Sequence, residues 1–203
     1  HRLNIPFADI RGLLQQWLDA PRATTFLLIE PREALREIIL AEIQQALGAS
    51  VSVCDVDDPM LTDKLTGAVP LVLPSKADVV QSLLPAGSEL ITLQVRSAAS
   101  SLAEWLPAPS DALVGVASAW PQFLETTRTM LIAAGFAPDA LLFRDTTKDG
   151  WQDGLSQTAG VVCDTFTAAR LAKGIRPIPF PLLTESTLED LRRRHQAMVL
   201  PGS

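Results

Sequence analysis

A weak internal repeat constrains the fold of this chain more than any other feature. A buried-looking strand, an amphipathic helix, a second strand, a polar link and a third strand follow one another over residues 26–75 and again over residues 113–164. Gly48 and Gly135 close the first helix of each copy, and Asp55 and Asp145 end the second strand. A repeat of supersecondary units at this length predicts two similar lobes.

The apolar runs of the repeat are too continuous for half-exposed strands. FLLI, VPLVL, LVGVA and GVVC alternate with helical stretches, a pattern typical of a parallel sheet covered on both faces. We therefore predict an α/β fold of two similar small lobes, each a mostly parallel sheet of about four strands with helices on both faces. This pseudo-repeat is periplasmic-binding-protein-like; a single continuous sheet is the alternative.

The same pattern divides the chain. We expect an N-terminal linker or dimerisation helix in residues 1–20, lobe 1 in residues 21–96, a crossover in residues 97–111 and lobe 2 in residues 112–183. A C-terminal helix over residues 184–203 is expected to return to lobe 1. The chain begins with His1 instead of Met, so we expect a part of a longer protein.

Composition restricts the partners. The net charge is −6, which argues against nucleic-acid binding by this stretch, because phosphate affinity comes largely from clustered Lys and Arg. No window reaches the roughly 20 apolar residues of a membrane helix, and no secretory signal pattern is present. We expect a cytoplasmic protein without a membrane partner, in which Cys54 and Cys163 are reduced core residues.

Side chains for catalysis or metal binding are sparse. The histidines are His1 and His195, neither of which fits a Ser–His or Cys–His set, and Cys and His do not cluster as a zinc site requires. The turns after the first strand of each copy lack the glycines of a phosphate-binding loop. We predict no enzyme, no metal site and no cofactor.

The opening FLLIEPREALREIILAEI superficially resembles that of a phosphoreceiver domain. Receivers hold magnesium with a pair of acids after the first strand, but only Glu30 stands there in the first copy, and Ser118 and Trp120 occupy that region of the second. A magnesium site without its carboxylates would be poor. A receiver-like domain that acts through protein contacts, without a ligand, remains an alternative.

The predicted topology locates a ligand site. Open parallel sheets bind ligands beyond the carboxyl ends of their strands, and two such lobes would enclose a cleft. Trp120, Arg144 and Asp164 are the best candidates, because an aromatic plate with a cation and an anion suits a small polar metabolite. The other candidate residues at these strand ends are Glu30, Arg32, Asp55, Ser75, Lys76, Arg96, Ser118, Asp145 and Thr165.

Each candidate also has a purely structural interpretation. Ser75, Ser118, Asp164 and Thr165 suit helix caps. Arg32 and Lys76 suit solvated surface positions, and Trp120 suits the core.

Three stretches carry a family resemblance: LLIEPREALREIILAEIQQALG, VGVASAWPQFLETTRTMLIAAG and LLFRDTTKDGWQDGLSQTAGVVCDTFTAARL. There the chain resembles the C-terminal effector domains of some bacterial GntR-type transcription regulators, over most of its length from residue 26. The resemblance implies a ligand-sensing domain that binds a small-molecule effector, forms a homodimer, and reaches DNA only through an N-terminal winged helix that this chain lacks. A solute-binding protein of a transport system is a further alternative.

Overall fold

The computed structural model describes residues 24–84, 88–96 and 112–199. Within these ranges the chain forms two four-stranded parallel sheets flanked by helices. The predicted α/β fold of two small lobes is therefore confirmed. The helix expected in residues 1–20 and the crossover expected in residues 97–111 lie outside the described residues.

Lobe 1 has the sheet order β2-β1-β3-β4, and every neighbouring pair of strands is parallel. Its described strands are β1 (Thr25–Ile29), β2 (Ser52–Cys54), β3 (Ala68–Val72) and β4 (Ile91–Thr92). The helices are α1 (Glu33–Leu47), α2 (Leu61–Leu65) and α3 (Pro74–Leu83).

Lobe 2 repeats this order as β6-β5-β7-β8, again with parallel neighbours. Its described strands are β5 (Val114–Ser118), β6 (Leu141–Asp145), β7 (Gly160–Cys163) and β8 (Pro177–Pro179), and its helices are α4 (Pro121–Ala133) and α5 (Thr165–Ala168). Short 3-10 turns cover Pro138–Ala140 and Leu155–Gln157, and α6 (Glu185–Val199) ends the described chain. The two prolines of β8 are accommodated because this strand lies at the edge of its sheet.

The ends of the first helix of each lobe follow the sequence prediction. Gly48 after α1 and Gly135 after α4 have φ angles of 63° and 95°. This left-handed conformation is the usual way in which a helix ends, and glycine adopts it without a Cβ clash.

The alternation along β1 shows why its run of apolar residues forms a strand. Phe26 and Leu28 pack in the cluster that contains the buried residues of α1, whereas Leu27 and Ile29 pack with residues of α2 and α3. Both faces of the sheet are covered, so every residue of the strand interior must be apolar. Cys54 and Cys163 are buried free thiols in the strands, as the sequence predicts.

The two lobes share one apolar core. A single cluster joins Ile39 of α1, Phe123 and Leu131 of α4, and Leu183 and Leu191 near the C-terminus. Helix α6 lies against lobe 1: the Arg192 Nε donates to the carbonyl of Ala46 at 3.2 Å, and Arg194 forms an ion pair with Glu89. Within the described ranges, the helices are all too short or too polar to cross a membrane.

The segments that connect the lobes run side by side. Val95 and Leu183 form an antiparallel bridge, the Arg96 N–H donates to the Leu182 carbonyl at 2.7 Å, and the Thr184 N–H donates to the Gln94 carbonyl at 3.0 Å. Residues 93–96, which leave lobe 1, and residues 182–184, which return from lobe 2, are called the crossing ribbon below. The crossing ribbon therefore ties the end of lobe 1 to the end of lobe 2 by backbone hydrogen bonds.

Candidate functional site

A cavity of about 220 Å³ lies where the two lobes meet. It stands at the carboxyl ends of β1, β3 and β5, the edge at which parallel α/β sheets bind ligands. Lobe 1, lobe 2 and the crossing ribbon all contribute to its lining, which consists of Arg32, Leu35, Ile39, Leu73, Val95, Trp120, Gln122, Thr126, Leu182 and Leu183.

Arg32 and Trp120 occupy equivalent places in the two lobes. Each is the residue directly before the first helix of its lobe, and their backbone angles are similar, with φ −78° and ψ 108° for Arg32 and φ −97° and ψ 109° for Trp120. Neither helix has a side-chain cap at this end. The structural repeat therefore brings a guanidinium and an indole to one cavity.

A buried carboxylate fixes the guanidinium of Arg32. Glu30 is 0% exposed, and its Oε1 and Oε2 accept hydrogen bonds from the Arg32 Nε at 2.7 Å and Nη2 at 3.3 Å. The backbone N–H of Arg32 also donates to Oε1, at 3.1 Å. The hydrogen bond that Arg32 donates to the Glu30 carboxylate raises the pKa of Arg32. Glu30 does not line the cavity; it holds the side chain that does.

Ser118 and Asp164 form a closed network inside lobe 2. Both are 0% exposed, and the Ser118 hydroxyl donates to Asp164 Oδ2 at 2.6 Å while accepting the Trp120 N–H at 3.0 Å. Asp164 also accepts the backbone N–H of Thr167 at 2.7 Å and its hydroxyl at 3.0 Å. Asp164 thus caps α5, and neither it nor Ser118 lines the cavity.

Thr165 lies at the contact between the lobes. Its hydroxyl donates to Oε1 of Glu42 on α1 at 3.3 Å, and the same carboxylate accepts the N–H groups of Leu182 at 2.7 Å and Leu183 at 2.8 Å. Burial raises the pKa of Glu42, and these hydrogen bonds oppose the shift. Glu42 therefore holds the crossing ribbon from the side of lobe 1.

Two candidates of lobe 2 lie outside the cavity. Arg144 donates from Nη2 to the carbonyl of Asp153 at 2.9 Å and from Nη1 to that of Phe143 at 3.0 Å. Asp145 Oδ1 accepts the N–H of Thr147 at 2.9 Å and its hydroxyl at 2.6 Å, and these bonds lower the pKa of Asp145. Both side chains stabilise the turn after β6.

The remaining candidates belong to lobe 1. Asp55 accepts the N–H of Asp57 at 3.2 Å and so forms a local turn. Ser75 and Lys76 lie in the first turn of α3, which begins at Pro74 without a side-chain cap, so Ser75 does not cap it. Arg96 donates from Nε to the Leu183 carbonyl at 2.8 Å, which places it on the crossing ribbon and not in the cavity lining.

Sequence reasoning missed most of the apolar lining and Glu42. The signal for Glu42 was present: Leu35, Ile38, Ile39, Glu42 and Ile43 are the buried residues of α1, at the spacing of one helix face. A carboxylate within such an apolar stripe must find buried donors. Leu182 and Leu183 carried no comparable signal, because their position depends on the path of the crossing ribbon.

The cavity offers binding groups. Its lining in the described part of the chain combines one cation, one indole, the neutral polar side chains of Gln122 and Thr126, and aliphatic residues, without a carboxylate, thiol or imidazole. Groups of three or more metal-ligating side chains do not occur within the described ranges.

The relation of this chain to the effector domains of GntR-type regulators rests on sequence pattern alone and stays a prediction. The likeness of the two-lobed arrangement to periplasmic binding proteins also stays a prediction. Comparisons with protein-family models, with curated proteins and with solved structures gave no match to this chain.

Proposed function

We propose that this chain is a ligand-sensing effector domain that binds a small metabolite between its two lobes. The observation that carries the proposal is the cavity at the carboxyl ends of both sheets, lined from both lobes and from the crossing ribbon. A ligand that contacts both lobes has different affinities for different lobe arrangements, and this difference is what shifts their equilibrium.

The crossing ribbon connects the cavity to both lobes. Leu182 and Leu183 line the cavity with their side chains, while their N–H groups are held by Glu42 and their carbonyls by Arg96. A ligand that packs against these side chains acts on the segment that joins the lobes. Coupling energies between sites are typically about 1–3 kcal/mol, which corresponds to changes of about 5- to 150-fold in affinity.

A filled cavity tests the binding function directly. Thr126 lines the cavity from α4, and Thr129 lies on the same helix at an exposed position outside the lining, so Thr126→Trp and Thr129→Trp form a matched pair. We expect a mixture of small organic metabolites, screened by ligand-observed NMR, to contain molecules that bind the wild type and Thr129→Trp but not Thr126→Trp. Binding that survives Thr126→Trp, or no binder in the mixture, would contradict the proposal.

We further propose, on the strength of the sequence resemblance, that the domain serves a dimeric transcription regulator whose DNA-binding part lies outside this chain. The coding sequence upstream of His1 tests this step. A winged helix of about 70 residues would support it. A secretory signal or lipid anchor there would favour a solute-binding protein of a transport system, and a translation start at this point would favour a protein-interaction domain.

A further inference from the structure

We propose that the ligand is a small monocarboxylate with an aromatic or branched apolar body, and that Arg32 receives its carboxylate. This inference rests on the proposed binding function and adds the chemical class of the ligand. Three properties of the cavity carry it: the free edge of one guanidinium, a lining without acidic side chains among the described residues, and the volume.

The guanidinium of Arg32 is bound on one edge only. Its Nε and Nη2 form a two-point contact with Glu30, and Nη1 has no hydrogen-bond partner among the residues that the structure describes. The Nη1/Nη2 edge therefore remains available on a side chain that is 48% exposed and lines the cavity. This edge matches the two oxygens of a carboxylate, and the contact with Glu30 fixes its orientation in advance.

The lining favours a monoanion over a cation or an amino acid. Gln122 and Thr126, the other polar lining residues of the described chain, are neutral. An ammonium group would need a carboxylate partner to leave water. The nearby carboxylate of Glu30 is fully buried and already shared between the side chain and the backbone N–H of Arg32. An amino acid would therefore bring its positive group into a place without an acceptor of opposite charge.

Volume and apolar contacts set the size and the body of the ligand. An enclosed cavity of about 150 Å³ holds benzene. The cavity between the lobes is larger, about 220 Å³, and partly open to solvent, so it accommodates a molecule of about eight to eleven non-hydrogen atoms. The aliphatic lining residues form most of the wall, and Trp120 adds an indole. An aromatic ring or a branched aliphatic chain buries these surfaces best.

Isosteric probes separate the charge from the shape. Titration calorimetry with benzoate, benzamide, benzylammonium and 4-methylpentanoate is expected to give a Kd between about 10 µM and 1 mM for at least one carboxylate, the range that ligands of this size reach. Benzamide is expected to bind at least about 10-fold more weakly than benzoate, because it cannot pair with the guanidinium as an anion. Benzylammonium is expected not to bind.

Variants assign the effect to Arg32. Arg32→Lys keeps the charge but loses the planar guanidinium whose paired N–H groups match a carboxylate, and we expect about 10-fold weaker binding of the carboxylate. The double variant Glu30→Gln/Arg32→Gln removes both charges together, which avoids an unpaired buried acid, and it should bind benzoate no better than benzamide. Arg128→Gln is the control, since Arg128 is an exposed cation of α4 that stacks on Phe143 outside the lining. Thermal unfolding verifies that each variant is folded.

The outcomes distinguish this inference from the proposed function. If benzamide binds as tightly as benzoate, or if Arg128→Gln weakens benzoate as much as Arg32→Lys, the role of Arg32 is wrong while a binding cavity remains. If no carboxylate binds but the metabolite mixture yields a binder that Thr126→Trp excludes, the ligand class is wrong and the sensing function stands. If benzoate binds equally well to Thr126→Trp, both are wrong.

Discussion

Each lobe contains a fully buried carboxylate where the strands of its sheet end, and the two carboxylates are stabilised by different kinds of partner. Glu30 of lobe 1 meets a cation, Arg32, from its own turn. Asp164 of lobe 2 meets neutral donors, namely the hydroxyls of Ser118 and Thr167 and the backbone N–H of Thr167. The first arrangement leaves a charged group half exposed at the cavity, and the second leaves nothing exposed.

This difference arises at equivalent positions of the structural repeat. Glu30 directly follows the first strand of lobe 1, and Ser118 ends the first strand of lobe 2. Each lies two residues before a residue that lines the cavity. In lobe 2 the Ser118 hydroxyl bonds to Asp164 and accepts the Trp120 N–H, so Trp120 contributes only its indole to the cavity. In lobe 1 the buried acid binds one edge of Arg32 and orients the other. At these equivalent positions the cavity thus receives a guanidinium from lobe 1 and an indole from lobe 2.

The largest effect is expected at Asp164. Asp164→Ala removes the acceptor of three buried hydrogen bonds and the cap of α5, so we expect the free energy of unfolding to fall by about 3 kcal/mol. Asp145→Ala is the matched control, because that carboxylate accepts bonds from Thr147 in a partly exposed turn of the same lobe; it should cost less than about 1 kcal/mol. Urea unfolding measures both. Equal losses would show that the Asp164 network is not the stabilising element of lobe 2.

A smaller effect is expected at Arg32, where the comparison predicts rescue. Arg32→Ala leaves the buried Glu30 without its cation, and we expect a loss of about 2 kcal/mol, less than for a fully buried pair because Arg32 is half exposed to solvent. Glu30→Gln in the same chain removes the unpaired charge and should restore about half of the loss. A double-mutant cycle by urea unfolding measures the coupling. Additive losses would mean that Glu30 does not depend on Arg32.

The fold was predictable because its strongest signal is local. FLLI, VPLVL and GVVC are buried throughout, and LVGVA is buried from Val114 onward. Runs that are buried on both faces and alternate with helices are typical of a parallel sheet. Helix α5 of lobe 2 is short and covers only Thr165–Ala168. The fourth strand of each lobe lies at a sheet edge and is short, with two residues in β4 and three in β8.

The sequence predicted where on the sheets the site lies, but not which residues line it. Sequence reasoning places Ser118, Trp120 and Asp164 together at the carboxyl end of one sheet, and they are together in the structure. Which of them line the cavity depends on the path of each turn: Ser118 still belongs to β5 and its side chain is buried, whereas Trp120 precedes α4 and reaches the cavity. The contribution of the crossing ribbon depends on tertiary packing between residues far apart in the chain, which no local pattern encodes.

The smallest effect, a change in pH dependence, is expected at Glu42, a third buried carboxylate. Like Asp164 it has no cation among its hydrogen-bond partners in the described chain, but its donors come from the other lobe and the ribbon. Burial raises the pKa of Glu42 above its ordinary value of 4.5. Folding then favours the protonated form, so the stability that this group contributes is complete below that value and declines as the pH rises through the raised pKa of the folded state.

Glu42→Gln replaces the titrating carboxyl with a neutral amide and so isolates the contribution of this group to the pH dependence of stability. The difference in unfolding free energy, wild type minus Glu42→Gln, should be largest near pH 4.5 and should shrink with rising pH by at most about 1.4 kcal/mol per pH unit, the limit for one proton. Urea unfolding of both proteins at several pH values measures it, with Glu37→Gln, an acid of the same helix outside the buried stripe, as the control. Parallel stability curves, or a difference that grows with pH, would show that the hydrogen bonds to Glu42 and the nearby charge of Arg96 offset the cost of burying its carboxylate.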